Sequence, residues 1–313
     1  MRVAVIAAAA VALVPAAHAG VLLGVHGDAS RFAAQTGQQS QIHHTFMSFA
    51  QGNALRRIVA PMGPVPLLAL NTGSYGKNET ATPRGIATGH NDTFLFQLNA
   101  AVDAWPGNRF YVRPFPEMNA HWEATCAYNA NGTLRDAAHS TRWNRKALAR
   151  IAVIVRGGTR TEINAQLAKL GLPGVQRDLP VTTPKLRIVW NPQGFGAPNL
   201  PGNSAQAYYP GDAYVDVIGN DLYDIRGHGA TWAAAAALYK AHPTKPYAFA
   251  EWGVWGFDDP AFVRAMATWV KQHRRVEFIA YYSGRPGSVF DLASKPASRA
   301  AYRAFITPLG TLP

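Results

Sequence analysis

Two glutamates stand where a pair of carboxyl groups could act together. Glu117 follows the apolar run Phe110–Phe115 and Glu251 follows the run Tyr247–Ala250, so both come at the ends of predicted strands. An apolar wall raises the pKa of a carboxyl because it disfavours the charged form, whereas hydrogen-bond donors keep a second carboxyl ionised. Two glutamates in one pocket can therefore divide into a proton donor and a nucleophile.

This division of roles is what cleavage of a glycosidic bond requires. One carboxyl protonates the leaving oxygen while the other attacks the anomeric carbon, and in retaining enzymes the two are about 5–5.5 Å apart. Trp122 near Glu117 and Trp252 near Glu251 offer flat surfaces on which sugar rings stack. By position alone, the pair is also compatible with two carboxylates in salt bridges at the rim of a barrel.

Histidines are the other polar residues at the predicted strand ends. His43 and His44 end the second strand and His26 ends the first, where their imidazoles would hydrogen-bond sugar hydroxyls. These histidines lack the HExxH or HxH spacing of metal ligands. The GxSxG motif of serine hydrolases is also absent from the sequence. We therefore expect no metal and no cofactor.

Alternating elements would bring these residues to one face of the molecule. Eight strands alternating with helices favour a (β/α)8 TIM barrel, in which the chemistry lies at the C-terminal ends of the strands. No linker interrupts residues 20–313, so we expect one domain, although 177–184 stays unassigned. The predicted strands are Val21–Val25, Ile42–Phe46, Leu67–Leu70, Phe110–Phe115, Leu186–Trp190, Tyr214–Gly219, Tyr247–Ala250 and Phe278–Tyr282. The predicted helices are Thr93–Trp105, Thr141–Arg156, Thr231–His242, Pro260–Arg274 and Pro296–Phe305.

The composition excludes several classes of protein. Of the 313 residues, 48% are apolar and only 15% are charged, which excludes a disordered chain and suffices for a large core. The formal charge of +12 indicates a basic surface, but the cations are scattered and no nucleic-acid-binding motif is present. The charge is compatible with a solvated surface and with attraction to an anionic polymer.

The N-terminus predicts export. Arg2, the apolar run Val3–Val14 and the sequence Ala17-His18-Ala19 form the three regions of a secretory signal peptide, so we expect residues 1–19 to be removed. No later segment is long and apolar enough to span a membrane, and the single Cys126 forms no internal disulfide. We expect a secreted monomer, extracellular or in the cell envelope, that is not embedded in a membrane and binds no nucleic acid.

Five segments resemble motifs of glycoside hydrolase family 26, the β-mannanase group of retaining barrel hydrolases. They occur in the family's order between Gly24 and Phe290, and the segment 209–223 is long and specific. The segments are IATGHND at 86–92, similar to IxxGxxD; RPFPEMNAHW at 113–122, similar to RxxHEMNGxW; WNPQ at 190–193, similar to WxPN; YPGDAYVDVIGNDLY at 209–223, similar to YPGDxYVDxxGxDxY; and AEWG at 250–253, similar to ExG.

The resemblance implies a role for individual residues. Glu117 would be the general acid/base and Glu251 the nucleophile, while Tyr223 would hydrogen-bond the nucleophile and keep it ionised. Trp122 would lie beside the scissile bond, and Asn119 would contact the substrate. The further candidates for substrate binding are Arg113, Trp252 and His43.

Two readings of Arg113 stay open. It lies four residues before Glu117 and would point to the same side of a strand, because side chains alternate along a strand. Its guanidinium would either orient a carboxylate or form an internal ion pair of the barrel. Asp212 and Asp216 of the long motif are expected to fix a loop and the start of a strand.

The sequence also departs from the family pattern. Pro116 replaces the histidine before the acid/base, Ala120 replaces a glycine, and Tyr281 and Tyr282 stand where these hydrolases usually have a tryptophan. Both carboxylates are kept, so the departures concern the substrate. We expect a secreted retaining endo-β-glycosidase with a polysaccharide substrate, β-1,4-mannan being the first candidate. The alternatives are another β-glycan (β-1,3-xylan, mixed-linkage glucan or an anionic envelope glycan) and a non-catalytic carbohydrate-binding barrel.

Overall fold

A computed structural model describes residues 20–73, 79–226, 228 and 230–310. In these residues eight parallel strands form a closed barrel in sequential order, with β8 pairing back to β1. This confirms the predicted (β/α)8 TIM barrel. The strands are β1 Leu22–Gly27, β2 Ile42–Ser48, β3 Val65–Asn71, β4 Phe110–Pro114, β5 Leu186–Trp190, β6 Val217–Ile225, β7 Tyr247–Trp255 and β8 Val276–Gly284.

Helices cover the outside of the barrel. Some begin with a side-chain cap; for example, Ser140 caps α5 and Asp259 caps α8. The helices are α1 Ala29–Thr36, α2 Leu55–Val59, α3 Pro83–Ala87, α4 Asp92–Asp103, α5 Thr141–Arg156, α6 Arg160–Lys169, α7 Trp232–Ala241, α8 Pro260–Gln272 and α9 Pro296–Ala301. No helix in the described part of the chain is long and apolar enough to cross a membrane. The predicted signal peptide, residues 1–19, lies outside the described residues.

The sequence predicts the presence of the main strands and helices better than it predicts the residues at which they begin and end. The bounds of β5 and α5 agree with the prediction, but β6 begins and ends later than predicted and β7 continues five residues past Ala250. The upper parts of both strands carry polar residues into the barrel, which breaks the apolar run. The helices α1, α2, α3 and α6 were not predicted, because they are short or bury few apolar residues.

Alternation along the strands gives the barrel two layers of core. Large side chains that point outward pack against the helices, whereas a smaller cluster fills the lower half of the lumen. Ile42, Tyr111, Val217 and Phe278 belong to this lumenal cluster. Farther along β4 and β6, at the C-terminal end of the lumen, the inward side chains are polar. Buried polar groups there need partners, and they find them in one another.

Candidate active site

Glu251 points into the lumen because β7 contains a bulge. The pairing of β7 with β6 passes from Asn220↔Phe249 to Asp221↔Glu251, so Ala250 is left without a partner. Simple alternation from the lumenal Ala248 and Ala250 would have turned Glu251 outward and Trp252 inward. A bulge shifts this alternation by one residue and re-aims the side chains that follow.

Two donors hold the carboxylate of Glu251. Arg113 on β4 donates to its Oε1, and the Tyr223 hydroxyl on β6 donates to its Oε2 at 2.7 Å. Burial and the charge of Glu251 raise the pKa of Tyr223 well above its ordinary value, so the phenol keeps the proton that it donates. Glu251 thus receives one charged and one neutral donor, an arrangement that would orient a carboxylate nucleophile.

Arg113 has both of the roles that the sequence left open: it contacts a carboxylate in the cleft and forms an internal ion pair of the barrel. Its guanidinium is fully buried and pairs with Asp221 on β6 as well as with Glu251. Although burial opposes it, these two carboxylates hold the pKa of Arg113 above its ordinary value. Burial raises the pKa of Asp221, with Arg113 acting in the opposite direction. Asp221 was not among the predicted site residues; its place in the long motif at 209–223 is the signal that could have indicated it.

Glu117 reaches the same lumen by a turn and not by strand alternation. Strand β4 ends at Pro114, and the backbone of Phe115 and Glu117 is left-handed, with φ of 52° and 54°. Such values are costly for residues other than glycine and asparagine, and they cluster at functional sites. The backbone N–H of Glu117 donates to the carbonyl of Asn191 at 2.8 Å, which fixes the turn against the end of β5.

The surroundings of Glu117 favour its protonated form. Burial and the nearby Glu251 raise its pKa above the ordinary value, while the hydrogen bond from Trp122 acts in the opposite direction. Trp122 Nε1 donates to Oε2 at 2.6 Å, and Gln193 Nε2 donates to Oε1. The carboxyl therefore keeps its proton to a higher pH than an exposed glutamate, as a general acid must. Gln193 belongs to the WNPQ segment at 190–193, but that segment alone does not predict its contact with Glu117.

Asn119 connects two loops and does not face the cleft. Its Nδ2 donates to the carbonyls of Gln193 and Phe195 at 3.0 and 3.1 Å, and its Oδ1 accepts from the N–H of Gln193 at 2.8 Å. The side chain is fully buried. The prediction that Asn119 contacts the substrate is therefore wrong: its polar atoms are used to hold the residue that contacts Glu117.

Two further predictions of substrate contact are wrong because the side chains point outward. Trp252 is fully buried between the barrel and the helices, where its ring stacks on Tyr302 at a centroid distance of 5.6 Å. The side chain of His43, on β2, points out of the barrel, so close to Gly63 that a Cβ there would come within 2.7 Å of its ring. Trp255, at the end of β7, is instead exposed and packs edge-on against Tyr223 at 5.6 Å.

A cleft of about 270 Å³ joins the two glutamates. Glu117 and Glu251 line it together with Phe46 and Tyr282. Tyr282 stacks on His26 at 4.4 Å, whereas its neighbour Tyr281 points away into the outer core. Burial lowers the pKa of His26, so its imidazole is neutral near pH 7. The cleft thus combines aromatic faces with groups that can bond hydroxyls.

The remaining candidates have structural contacts. Asp216 pairs with Arg156 at 3.0 Å and accepts from the N–H of Ile188, and Asp212 accepts from the hydroxyl of Tyr209 at 2.6 Å. Both fix a loop or a strand start, as predicted. Within the part of the chain that the structure describes, no three His, Cys, Asp or Glu side chains gather into a group that could hold a metal ion.

The comparisons with known proteins show the fold. No protein-family model matches the sequence, and no curated protein matches it in sequence. The mannanase BCman of Bacillus subtilis has a similar structure (TM-score 0.57, 16% identity, 92% of this chain and 86% of that one). So do a family 26 β-mannanase of Bacteroides ovatus (0.59, 14%, 94% and 90%) and an endo-β-1,4-mannanase of Cellulomonas fimi (0.58, 16%, 94% and 72%). The chain is therefore a TIM barrel that structurally resembles family 26 β-mannanases.

Proposed function

We propose that the protein is a secreted retaining endo-glycosidase that hydrolyses a β-linked polysaccharide. The observation that carries the proposal is that one cleft contains two carboxyls with contrasting surroundings. Burial and a neighbouring charge favour the protonated form of Glu117, whereas Arg113 and Tyr223 both donate to Glu251. Two titratable groups whose environments differ in this way mark an acid and a nucleophile.

The proposed reaction is a double displacement. A carboxylate oxygen of Glu251 attacks the anomeric carbon while Glu117 gives its proton to the departing oxygen, which forms a covalent glycosyl-enzyme and releases the leaving sugar. Glu117, now ionised, takes a proton from water, and the resulting hydroxide displaces Glu251 from the anomeric carbon. The second inversion restores the original configuration, and no step requires a metal or cofactor.

The first candidate for the substrate is β-1,4-mannan. The three similar structures are described as mannanases, and the five motifs support the same family. Pro116 and Ala120 depart from the acid/base motif, so other β-glycans come next. The N-terminal signal pattern supports export, with residues 20–313 forming one catalytic domain.

The role of Glu251 is tested with Glu251→Ala and an aryl β-glycoside that has an activated leaving group. We expect hydrolysis to fall by about 10³-fold or more because no covalent intermediate can form. Azide should restore turnover by attacking from the vacated side and yield the α-glycosyl azide, identified by NMR. Glu162→Ala, in the capping box of α6, is the control. Full activity of Glu251→Ala would exclude this nucleophile.

The substrate is tested by reducing-sugar release from mannan, galactomannan, β-1,3-xylan, mixed-linkage glucan and cellulose. We expect the largest release from the mannans. A larger release of reducing sugar from another polymer would identify that polymer as the substrate instead of mannan. Binding without release would identify a carbohydrate-binding barrel. Strong inhibition by salt would indicate an anionic glycan, because the Debye length falls from about 10 Å at 0.1 M to about 3 Å at 1 M.

A further inference from the structure

A second cavity adjoins the cleft and has no role in the reaction described above. It has a volume of about 340 Å³, within the range of about 300–1,000 Å³ that is typical of small-molecule sites. Glu123 and Ala124 line both cavities and form the wall between them. The other residues of the second cavity are Glu79, His121, Trp122, Asn129, Arg135 and His139.

The second cavity lies on the side of the proton donor. Trp122 lines it and at the same time donates to Glu117 Oε2 at 2.6 Å. Glu251 and Tyr282 line the cleft and do not line this cavity. A general acid stands next to the oxygen that leaves. A sugar attached to that oxygen therefore extends toward the second cavity.

The walls of the second cavity are held in place by ionic contacts. His139 bridges Glu79 at 2.7 Å and Asp136 at 2.8 Å. Although burial opposes it, these two carboxylates raise the pKa of His139 and favour the charged ring. Arg135 donates to the backbone carbonyls of His121, Glu123 and Ala124. A fixed polar cavity of this kind binds hydroxyl groups at little cost in conformational entropy.

Glu123 is the side chain best placed to meet a ligand. Its carboxyl forms no hydrogen bond or ion pair with any residue that the structure describes, and the residue is half-buried where the two cavities meet. Burial, followed by the charges of Glu117 and Glu251, raises its pKa to about 8, so it is neutral at pH 7 and can donate its proton. The charged or titratable groups that face it are Glu117, Glu251, Arg113, Arg135 and, from the second cavity, Glu79, His121 and His139.

We propose that Glu123 is the residue that determines binding of the leaving-group sugar, through a hydrogen bond from its carboxyl to a sugar hydroxyl in the second cavity. The proposal rests on the proposed function, since it needs Glu117 to be the proton donor. It deepens that function by adding a residue which the five family motifs do not contain.

The test compares Glu123→Ala and Glu123→Gln on two substrates. Mannohexaose can place sugars in the second cavity, whereas 4-nitrophenyl β-mannobioside has no sugar beyond the scissile bond. If the substrate panel identifies a polymer other than mannan, the corresponding oligosaccharide and aryl glycoside of that polymer are used. We expect Glu123→Ala to raise KM for the hexaose about tenfold and to change KM for the aryl glycoside less than twofold. Glu123→Gln, a neutral donor of the same shape, should keep the KM of the unaltered protein at pH 7.

The pH dependence separates the hydrogen bond from a merely structural effect. For the unaltered protein, KM for the hexaose should rise above pH 8 as Glu123 ionises, and Glu123→Gln should abolish that rise. Asp103→Asn, an exposed charge at the end of α4, is the control and should keep it. Equal effects of Glu123→Ala on both substrates, or no effect on either, would overturn the proposal, as would a glutamine variant that behaves like the alanine variant.

If the proposed function is wrong, the unaltered protein will cleave neither substrate, which differs from a change in KM caused by a Glu123 variant. Calorimetric titration of the hexaose into the same variants would still test the site, since loss of Glu123 should weaken binding about tenfold. Unchanged affinity would overturn it.

Discussion

Glu117 and Glu251 are both glutamates that line the same cleft, but different groups donate hydrogen bonds to their carboxyls. Glu251 receives a charged guanidinium and a phenol, whereas Glu117 receives two neutral N–H groups from Trp122 and Gln193. Hydrogen bonds to charged groups are stronger when the donor is itself charged. This difference in donors is a physical basis for the proposed roles, Glu117 as the acid and Glu251 as the nucleophile.

Trp122→Phe should move the pH profile of Glu117 without removing the aromatic ring. The indole N–H donates to the ionised carboxylate and lowers its pKa, so the loss of this donor should raise the pKa. We expect the alkaline limb of kcat/KM, which reports the free enzyme, to move upward by about half a unit to one unit. Trp255→Phe, equally exposed but away from Glu117, should leave the limb in place. An unmoved limb in Trp122→Phe would show that the bond does not tune Glu117.

At the scale of the elements, the turn after β4 and the loop after β5 act as one unit. Glu117 donates its backbone N–H to Asn191, and Asn119 bonds the backbone of Gln193 in both directions. The left-handed residues Phe115 and Glu117 are held by these contacts. A strained turn persists only when its surroundings determine it.

Asn119→Ala should therefore lower both stability and turnover. It leaves buried backbone groups unpaired, which costs about 1–3 kcal/mol, and it frees Gln193 from Glu117. Asn164→Ala is the matched control, because Asn164 on α6 makes the same two-way contact with the backbone of Val175. We expect both variants to unfold at lower urea concentration but only Asn119→Ala to lose kcat, by about tenfold. Equal kcat values would mean that the connection does not position Glu117.

At the scale of the whole molecule, an ion pair joins the first helix to the segment after the last strand. Arg31 on α1 and Asp291 after β8 lie 2.6 Å apart. Burial opposes ionisation, but the bonds from Arg31 and from the N–H groups of Ala293 and Gly287 lower the pKa of Asp291 well below its ordinary value. This contact helps to fasten the two ends of the barrel.

A lowered pKa stabilises the fold above the ordinary value of about 4, and this contribution is lost as the pH falls below it. Asp291→Asn should therefore reduce the free energy of unfolding by about 2 kcal/mol at pH 7 and by much less at pH 3. Urea unfolding at pH 7, 5, 4 and 3 measures the difference, with Asp103→Asn as the control. A deficit that does not change with pH would mean that the ion pair contributes nothing through ionisation.

The sequence by itself determined the alternation of strands and helices, and with it the barrel. It also singled out Glu117 and Glu251 as candidates, because both follow apolar runs at predicted strand ends, and the resemblance to family 26 motifs added Tyr223 and Trp122. A place at a strand end is enough to predict that residues lie near one another, because parallel strands in a closed barrel bring all their C-terminal ends to one face.

Only the tertiary structure decided which side chains enter the cleft. The bulge in β7 turns Glu251 inward and Trp252 outward, the reverse of simple alternation. The contact of Gln193 with Glu117, the burial of Asn119 and the outward position of His43 likewise depend on neighbouring strands and loops. A side chain's direction has a period of two along an unbroken strand, and one extra residue, set by pairing with another strand, reverses it.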